Sequence, residues 1–436
     1  MSASTTRIKT PEGGHSCRPH SRLENPPSVP SDEHTKWQDV EFPAAIKKTM
    51  IGKQNQIPTA DILPSGQFPV VDQGQAFIAG YSDVAERVIR DGLPLVIFGD
   101  HTRCLKFVDF PFILGADGTK VLKPREDLFD AKFFYYALLS LDIPNRGYNR
   151  HFTLLKEKKV PRPEKDEQRK IAGVLGVVQR AIEQQERLLA LTAELKKALL
   201  HQLFTQGLRG EPQKQTEIGP VPESWDVATL GEYLSEAQYG ISVKGSESGR
   251  YAVLRMTNQR QGRISSDNLQ YVELTPAQFA NFRVERQDIL FNRTNSLELV
   301  GRTAIFDLEG DFVFASYLIR LRTNAARLRP FFLNQYFNWD ETQVRLKSIA
   351  TRAVSQSNIS ATRLRGFRVP VPSPEEQDET ISNIDCVDRK LAVHRHKHAA
   401  LTALFRTLLH QLMTAQIRVH DLDLPELEKT KLRINS

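Results

Sequence analysis

The side chains best suited to reading a nucleic acid cluster in a few short stretches. Asn292-Arg293-Thr294-Asn295-Ser296 puts a planar guanidinium, two amides and two hydroxyls into five residues. The guanidinium fork fits guanine edges and phosphate oxygens, and an amide can pair with adenine through two hydrogen bonds. Arg293, Asn295, Arg302, Gln356 and Asn358 are therefore the candidate DNA contacts of the C-terminal half. In the N-terminal half the candidates are Gln73, Gln75, His101, Arg103 and Lys106, with Asn149 at the position that answers to Asn358. Against each stands a plainer reading, a polar turn between strands in which asparagine and glutamine serve the backbone.

Other groupings fail as chemistry. Asn25-Pro26-Pro27-Ser28 looks like the start of an adenine-methyltransferase motif. Its fourth residue is not the aromatic that would stack on a flipped base, and no glycine-rich cofactor loop follows a strand. His394 and His398 lie one helical turn apart around His396, but no carboxylate or cysteine completes a metal site, so a helical face is expected. Asp100-His101 has no serine partner at a recognisable spacing, and no G-x-x-x-x-G-K-[ST] loop is present. No catalytic residue and no metal ligand is assigned.

Composition sets wide bounds. A formal charge of +7, from 59 basic and 52 acidic residues, permits a polyanionic partner without requiring one. Of the 19 basic residues between 217 and 370, 17 are arginine, the cation that suits bidentate contacts. Cys17, Cys104 and Cys386 are too scattered for a disulfide framework or a C-x-x-C site, as in a reducing compartment. The chain has no long apolar run, and its first 30 residues lack the apolar core of a signal peptide, so a cytoplasmic protein is expected.

Positioning falls to a repeat. Shifted by 209 residues, Val160-Pro161-Arg162-Pro163 overlays Val369-Pro370-Val371-Pro372, and Glu167-Gln168 overlays Glu376-Gln377. Leu199-Leu200-His201-Gln202-Leu203 likewise overlays Leu408-Leu409-His410-Gln411-Leu412. Of the 47 positions from Val160 to Gln206, 15 are identical, where composition alone gives roughly three. Each copy reads as a long helix, with acidic residues in its first turn and an apolar stripe at steps of three and four. The stripe runs through Ile171, Leu175, Val178, Leu195, Leu199 and Leu203 in the first copy, and Ile384, Val387, Leu404, Leu408 and Leu412 in the second. About 43 residues make a rod of roughly 65 Å.

A block of short strand-like runs precedes each rod. Asp117-Gly118 marks a tight turn in the first block, and helices are predicted over 131–141 and 330–338. The blocks differ, but Trp37-Gln38-Asp39-Val40 echoes Trp225-Asp226-Val227, and Asn149, Thr153 and Leu155 match Asn358, Thr362 and Leu364. The expected segments are a tail (1–34), a block (35–160), a helix (161–208), a polar linker (209–217), a second block (218–370), a second helix (371–418) and a tail (419–436). Two equal rods with apolar stripes predict an antiparallel coiled coil in an α+β fold, a dumbbell with a pseudo-two-fold axis.

From about residue 37 to 416 this order is similar to the DNA-specificity subunit of type I restriction-modification enzymes. Ile218-Gly219-Pro220-Val221-Pro222-Glu223-Ser224-Trp225 and the Val-Pro-x-Pro-x-x-x-Glu-Gln rod entries carry the likeness. Phe68 to Gln75, Phe98 to Arg103, Gln356 to Ser360 and Thr192-Ala193-Glu194-Leu195 add to it. The resemblance implies a non-catalytic reader whose blocks are target recognition domains, each binding one half of a split double-stranded DNA site. It implies that the rods act as a ruler and dock two modification (methyltransferase) subunits. S-adenosylmethionine would belong to those partners, and ATP and Mg to a restriction/translocase subunit, with no cofactor in this chain. Two other classes are weighed: a methylase, which needs the missing cofactor loop, and a coiled-coil adaptor that never touches DNA.

Overall fold

The computed structural model describes residues 37–115, 118–147, 149–352 and 356–421. The expected 1–34 tail with Cys17 and Asn25 to Ser28, Asp117 of the tight turn, and residues 422–436 lie outside the described residues. The chain divides into two compact units, residues 1–189 with 394–436, and residues 190–393. Each unit combines one block with a segment of both long helices.

In the first unit the strand Gln38–Glu41 runs antiparallel to Lys159–Arg162, with Val40 opposite Val160. The residues after Trp37 thus close onto the Val-Pro-x-Pro entry of the rod. One antiparallel sheet orders Ile46–Lys47, Thr119–Pro124, Leu95–Gly99 and Leu105–Val108; a mixed sheet orders Gln56–Ile57, Ile113–Gly115, Phe68–Val71 and Gly80–Ser82. Leu95–Gly99 is buried throughout because its two faces serve two cores. Val96 and Phe98 pack with the helix side, Leu95 and Ile97 with Val108 and Phe112, the alternation a strand imposes. The helix Ala131–Ser140 starts at Asp130, whose carboxylate accepts the N–H groups of Lys132 and Phe133 (3.0 and 2.9 Å). It shares a core with Ile171 and Leu175 and with Leu409 and Leu412.

The same closure recurs in the second unit, where Asp226–Thr229 runs antiparallel to Arg368–Val371. Trp225 is fully buried there, edge-on to Phe332. A six-stranded sheet orders Leu234–Tyr239, Leu318–Thr323, Ile289–Asn292, Thr303–Ile305, Arg263–Ile264 and Gln259–Arg260. A three-stranded sheet orders Gln270–Val272, Tyr251–Leu254 and Phe312–Phe314. The predicted helix is present as Pro330–Asn338. The linker departs from expectation: Gln213–Thr216 forms a hairpin with Gly219–Pro222. Two local features permit it. Gly219 adopts φ +102°, open to glycine, and the Thr216 hydroxyl donates to the Gly219 carbonyl (2.6 Å).

The long helices span Lys165–Gln206 and Pro374–Met413. Each opens with acidic residues, Asp166 and Glu167 or Glu375 and Glu376, at the positive end of its dipole. The first ends at Gly207, φ +66°. Within the first unit Arg418 donates twice to Glu167 (2.8 and 3.0 Å), and His398 and His394 meet Glu186 and Gln185 (3.1 and 2.8 Å). Within the second, Lys196 reaches Asp388 (2.6 Å) and Glu376 accepts the Leu208 N–H (3.3 Å). In both units the numbering falls along one helix as it rises along the other, so the paired segments are antiparallel. The histidines sit in this helix pairing, and among the described residues no group of three His, Cys, Asp or Glu is placed to hold a metal. Nor is any described helix long and apolar enough to cross a membrane.

The predicted stripe sorts into three kinds of position. Ile171, Leu175, Leu203, Ile384 and Leu412 are buried, while Val178, Leu199, Val387 and Leu408 are half-buried. Leu195 and Leu404 stand at the surface, 57% and 45% exposed. The buried ones share cores with their block as well as with the other helix; Leu195 and Leu404 lack that second cover.

Candidate nucleic-acid interface

In the second unit the buried strand Ile289–Asn292 delivers the chain to Arg293. Beyond it, Thr294–Asn295 pairs with Ser357–Asn358, which pairs with Thr351–Arg352 in a small sheet. Two candidate stretches separate in sequence are thereby side by side. The Arg293 guanidinium lies 4.5 Å above the Tyr239 ring, and its Nη2 donates to Asn358 Oδ1 at 3.4 Å. Asn358 in turn donates to the Thr294 hydroxyl (2.7 Å), and Tyr239 accepts the Ala361 N–H (2.8 Å). The backbone of Arg293 is fixed on both sides: its N–H donates to Tyr317 and its carbonyl accepts from Ile359 (3.0 and 2.9 Å). Asn295 donates to Met256 Sδ (3.0 Å), while Gln356 and Arg302 are exposed.

Several arginines of this unit answer to acids. Arg320 meets Glu236 (2.6 Å), Arg322 meets Asp288 (2.8 Å), Arg329 meets Asp378 and Arg286 meets Asp307 (both 2.7 Å). Among the described residues no carboxylate lies at ion-pair distance from Arg293 or Arg302. Arg293 is thus held by an aromatic face and by long hydrogen bonds to neutral groups, while its charge is not neutralised. Stacking on tyrosine orients a guanidinium without cancelling it, and bonds at 3.4 Å exchange readily for a base edge or a phosphate. Tyr239 and Tyr317, both partly exposed, escape sequence reading. Only the sheet order, which sets their strands near Ile289–Asn292, brings them to Arg293.

The first unit presents a cleft of about 630 Å³ lined by Lys53, Gln56, His101, Lys120, Arg150 and Phe152, among others. Its floor is knotted by the buried Asp100. The Asp100 N–H donates to Gly118, its carbonyl accepts from the His151 N–H, and its carboxylate accepts the Phe152 N–H (2.7, 2.8 and 2.8 Å). His151, fully buried, has Nδ1 3.0 Å from the Asp100 carbonyl, and its Nε2 accepts the Arg146 N–H (3.2 Å). These bonds tie down the loop carrying Asn149 and Arg150. Gly118 sits at φ +83°, and a Cβ there would come within 2.7 Å of the Gln73 amide.

The predicted residues of this unit divide. His101 lines the cleft, its N–H donating to Gln73 Oε1 (3.2 Å), and Gln75 and Asn149 are exposed. Arg103, at φ +61°, donates to the Ile143 carbonyl (2.8 Å). Lys106 is placed otherwise than a surface cation: 1% exposed, it donates to the carbonyls of Asp72 and Ala76 (2.7 and 2.6 Å). It clamps the loop that carries Gln73 and Gln75. Lys53, Lys120 and Arg150 were not among the sequence candidates; nothing in their local sequence sets them apart from other surface cations. The shared Asn149/Asn358 offset has a structural basis, since each residue lies three positions before a short helix, Phe152–Lys156 or Ala361–Arg365.

Residues 222–403 match the family described as the type I restriction modification DNA specificity domain. The chain is 28% identical over 221 residues to a Methanocaldococcus jannaschii protein provisionally named type I restriction enzyme MjaX specificity subunit, covering 50% of this chain and 52% of that one. It is 24% identical over 283 residues to the type I restriction enzyme MjaVIII specificity subunit of the same organism, covering 61% and 63%. The chain thus spans about half to just under two thirds of the length of these relatives. Its fold is like that of the type I restriction-modification system S subunit from M. genitalium, with a TM-score of 0.57 at 18% identity, covering 88% of this chain and 98% of that one.

Proposed function

We propose that the chain belongs to the type I restriction-modification DNA specificity family, that it is the DNA-reading subunit of such a complex, and that it carries no catalysis of its own. Each block reads one half of a bipartite duplex site. The second does so through Arg293, Asn358 and their neighbours Asn295, Arg302 and Gln356, the first through the cleft of His101, Lys120 and Arg150 with Gln73, Gln75 and Asn149 near it. Arg103 adds charge, and Lys106 shapes the loop rather than touching DNA. The observation that carries this reading is the Arg293–Tyr239–Asn358 arrangement, a guanidinium held ready with no acid beside it.

The paired helices are the scaffold for adenine methyltransferase subunits and, through the larger complex, for restriction/translocase subunits. The exposed Leu195 and Leu404 suit docking of such partners, while Ile171, Leu175, Leu203, Ile384 and Leu412 belong to the internal cores. S-adenosylmethionine acts in the methyltransferase partner, and ATP with Mg in the restriction partner.

Salt titration of DNA binding by the purified full chain tests this against the adaptor reading. For about six phosphate contacts, affinity should fall roughly 1,000-fold between 50 and 200 mM salt. Binding that ignores salt, or methyl transfer from S-adenosylmethionine by the chain alone, would overturn it.

A further inference from the structure

Gln168 and Gln377, the repeated glutamine of the two rod entries, are each 0% exposed and make the same three hydrogen bonds. Gln168 Oε1 accepts the Asp130 N–H (2.7 Å), and its Nε2 donates to the carbonyls of Leu128 and Pro163 (2.9 and 2.8 Å). Gln377 Oε1 accepts the Arg329 N–H (2.7 Å), and its Nε2 donates to the carbonyls of Arg327 and Pro372 (2.9 Å each). Asp130 and Arg329 are the residues that open the helices Ala131–Ser140 and Pro330–Asn338. In each unit one amide therefore ties together the first turn of a rod, the proline entry of that rod and the start of the block's helix.

Duplicated sequence does not by itself explain this match. The glutamine follows its helix-opening partner by 38 residues in the first unit and by 48 in the second. The blocks have changed in length between those points, yet all three contacts persist with the same atoms. Only a neutral primary amide can accept one bond and donate two from this position. A leucine would leave one N–H and two carbonyls without partners in a dry site, and a carboxylate could not donate.

We infer that Gln168 and Gln377 are positioning residues that fix the angle at which each block is carried on its rod, and so limit the spacer tolerated between half-sites. The latch itself stands apart from DNA; its consequence for the spacer rests on the proposed function.

The latch is tested by distances between spin labels on the block and on the rod. Labels go at Met50→Cys and Val177→Cys, both exposed, in the full chain with Cys17 and Cys386 replaced by serine and the buried Cys104 retained. Gln168→Leu is expected at least to double the width of the distance distribution. Leu122→Ala, a core truncation in the same unit, is expected to lower Tm and leave the width unchanged. Gln168→Asn, which keeps the amide but falls short of its partners, is carried alongside should Gln168→Leu fail to fold. Widths no greater than in the Leu122→Ala control would overturn the inference. Selection from duplexes of random sequence then reads the consequence: Gln168→Leu should keep the same half-site bases but admit a wider range of spacers. If the parent chain selects no bipartite site, the proposed function fails while the label distances still decide the latch.

Discussion

Asp288→Ala is expected to lower the stability of the second unit by on the order of 3 kcal/mol, the scale of breaking a buried ion pair. Arg322 donates to both oxygens of Asp288 (2.8 and 3.1 Å), and Arg320 Nε lies 3.9 Å away, with Arg320 and Asp288 both almost wholly buried. Burial pushes the Asp288 carboxyl up from its ordinary value, while hydrogen bonds from Arg322 and from the Glu285 N–H draw it back. Its hydrogen bonds in turn hold Arg322 above its ordinary value. Without Asp288, Glu236 still answers both arginines, at 2.6 and 3.2 Å, and Glu285 still meets Arg322 at 3.1 Å, while the buried hydrogen bonds to Asp288 are lost. For a unit of this size the loss corresponds to roughly 6–12 °C in Tm, read by calorimetry of the transition to which the unit belongs. A change of under about 2 °C would mean that the network adds little beyond a surface pair. Asp288 precedes the strand that delivers Arg293, so the network supports the position of the proposed contact and makes no contact itself.

Arg293→Ala should behave in the opposite way. It removes one tyrosine stack and two long hydrogen bonds, so stability should change by under about 1 kcal/mol. Loss of one bidentate base contact costs about 1–3 kcal/mol, so affinity for the chain's own target should fall roughly 10- to 100-fold. The fall should largely vanish on duplexes whose matching half-site is already altered. Arg293→Lys separates charge from shape: it keeps the salt slope and loses discrimination, because an ammonium cannot imitate the fork. Arg302→Ala, at an exposed phosphate candidate, should weaken all duplexes alike and reduce the salt slope by about one. Competition binding on matched and altered duplexes measures these effects. Equal affinity of parent and Arg293→Ala for the target would remove Arg293 from the interface.

What could be read from the sequence follows from the range of the interactions involved. The long helices were legible because a 3.6-residue pattern is local and was stated twice. The short strand-like runs of the blocks are legible because an apolar run bounded by turns, as at Leu95–Gly99, can fill two cores at once. The small sheet beside Arg293 was only half legible: Asn292 to Ser296 and Gln356 to Asn358 stood out by residue type, but Asn358 meets Thr294 across 64 positions. Tyr239 joins them through sheet order, which no local pattern encodes. Lys106 misled because a lysine's burial depends on which carbonyls surround it, here those of Asp72 and Ala76. The glutamine of the rod entry was visible as an identity at 209 residues, but its partners sit at unequal distances upstream, where the self-alignment has no register.

Bipartite reading is tested most directly by selecting duplexes from a random pool with the purified full chain and sequencing the bound fraction. The expected result is two short constant elements separated by a run of unconstrained bases of fixed length. A single uninterrupted element, or a bound fraction no different from the input pool, would contradict it.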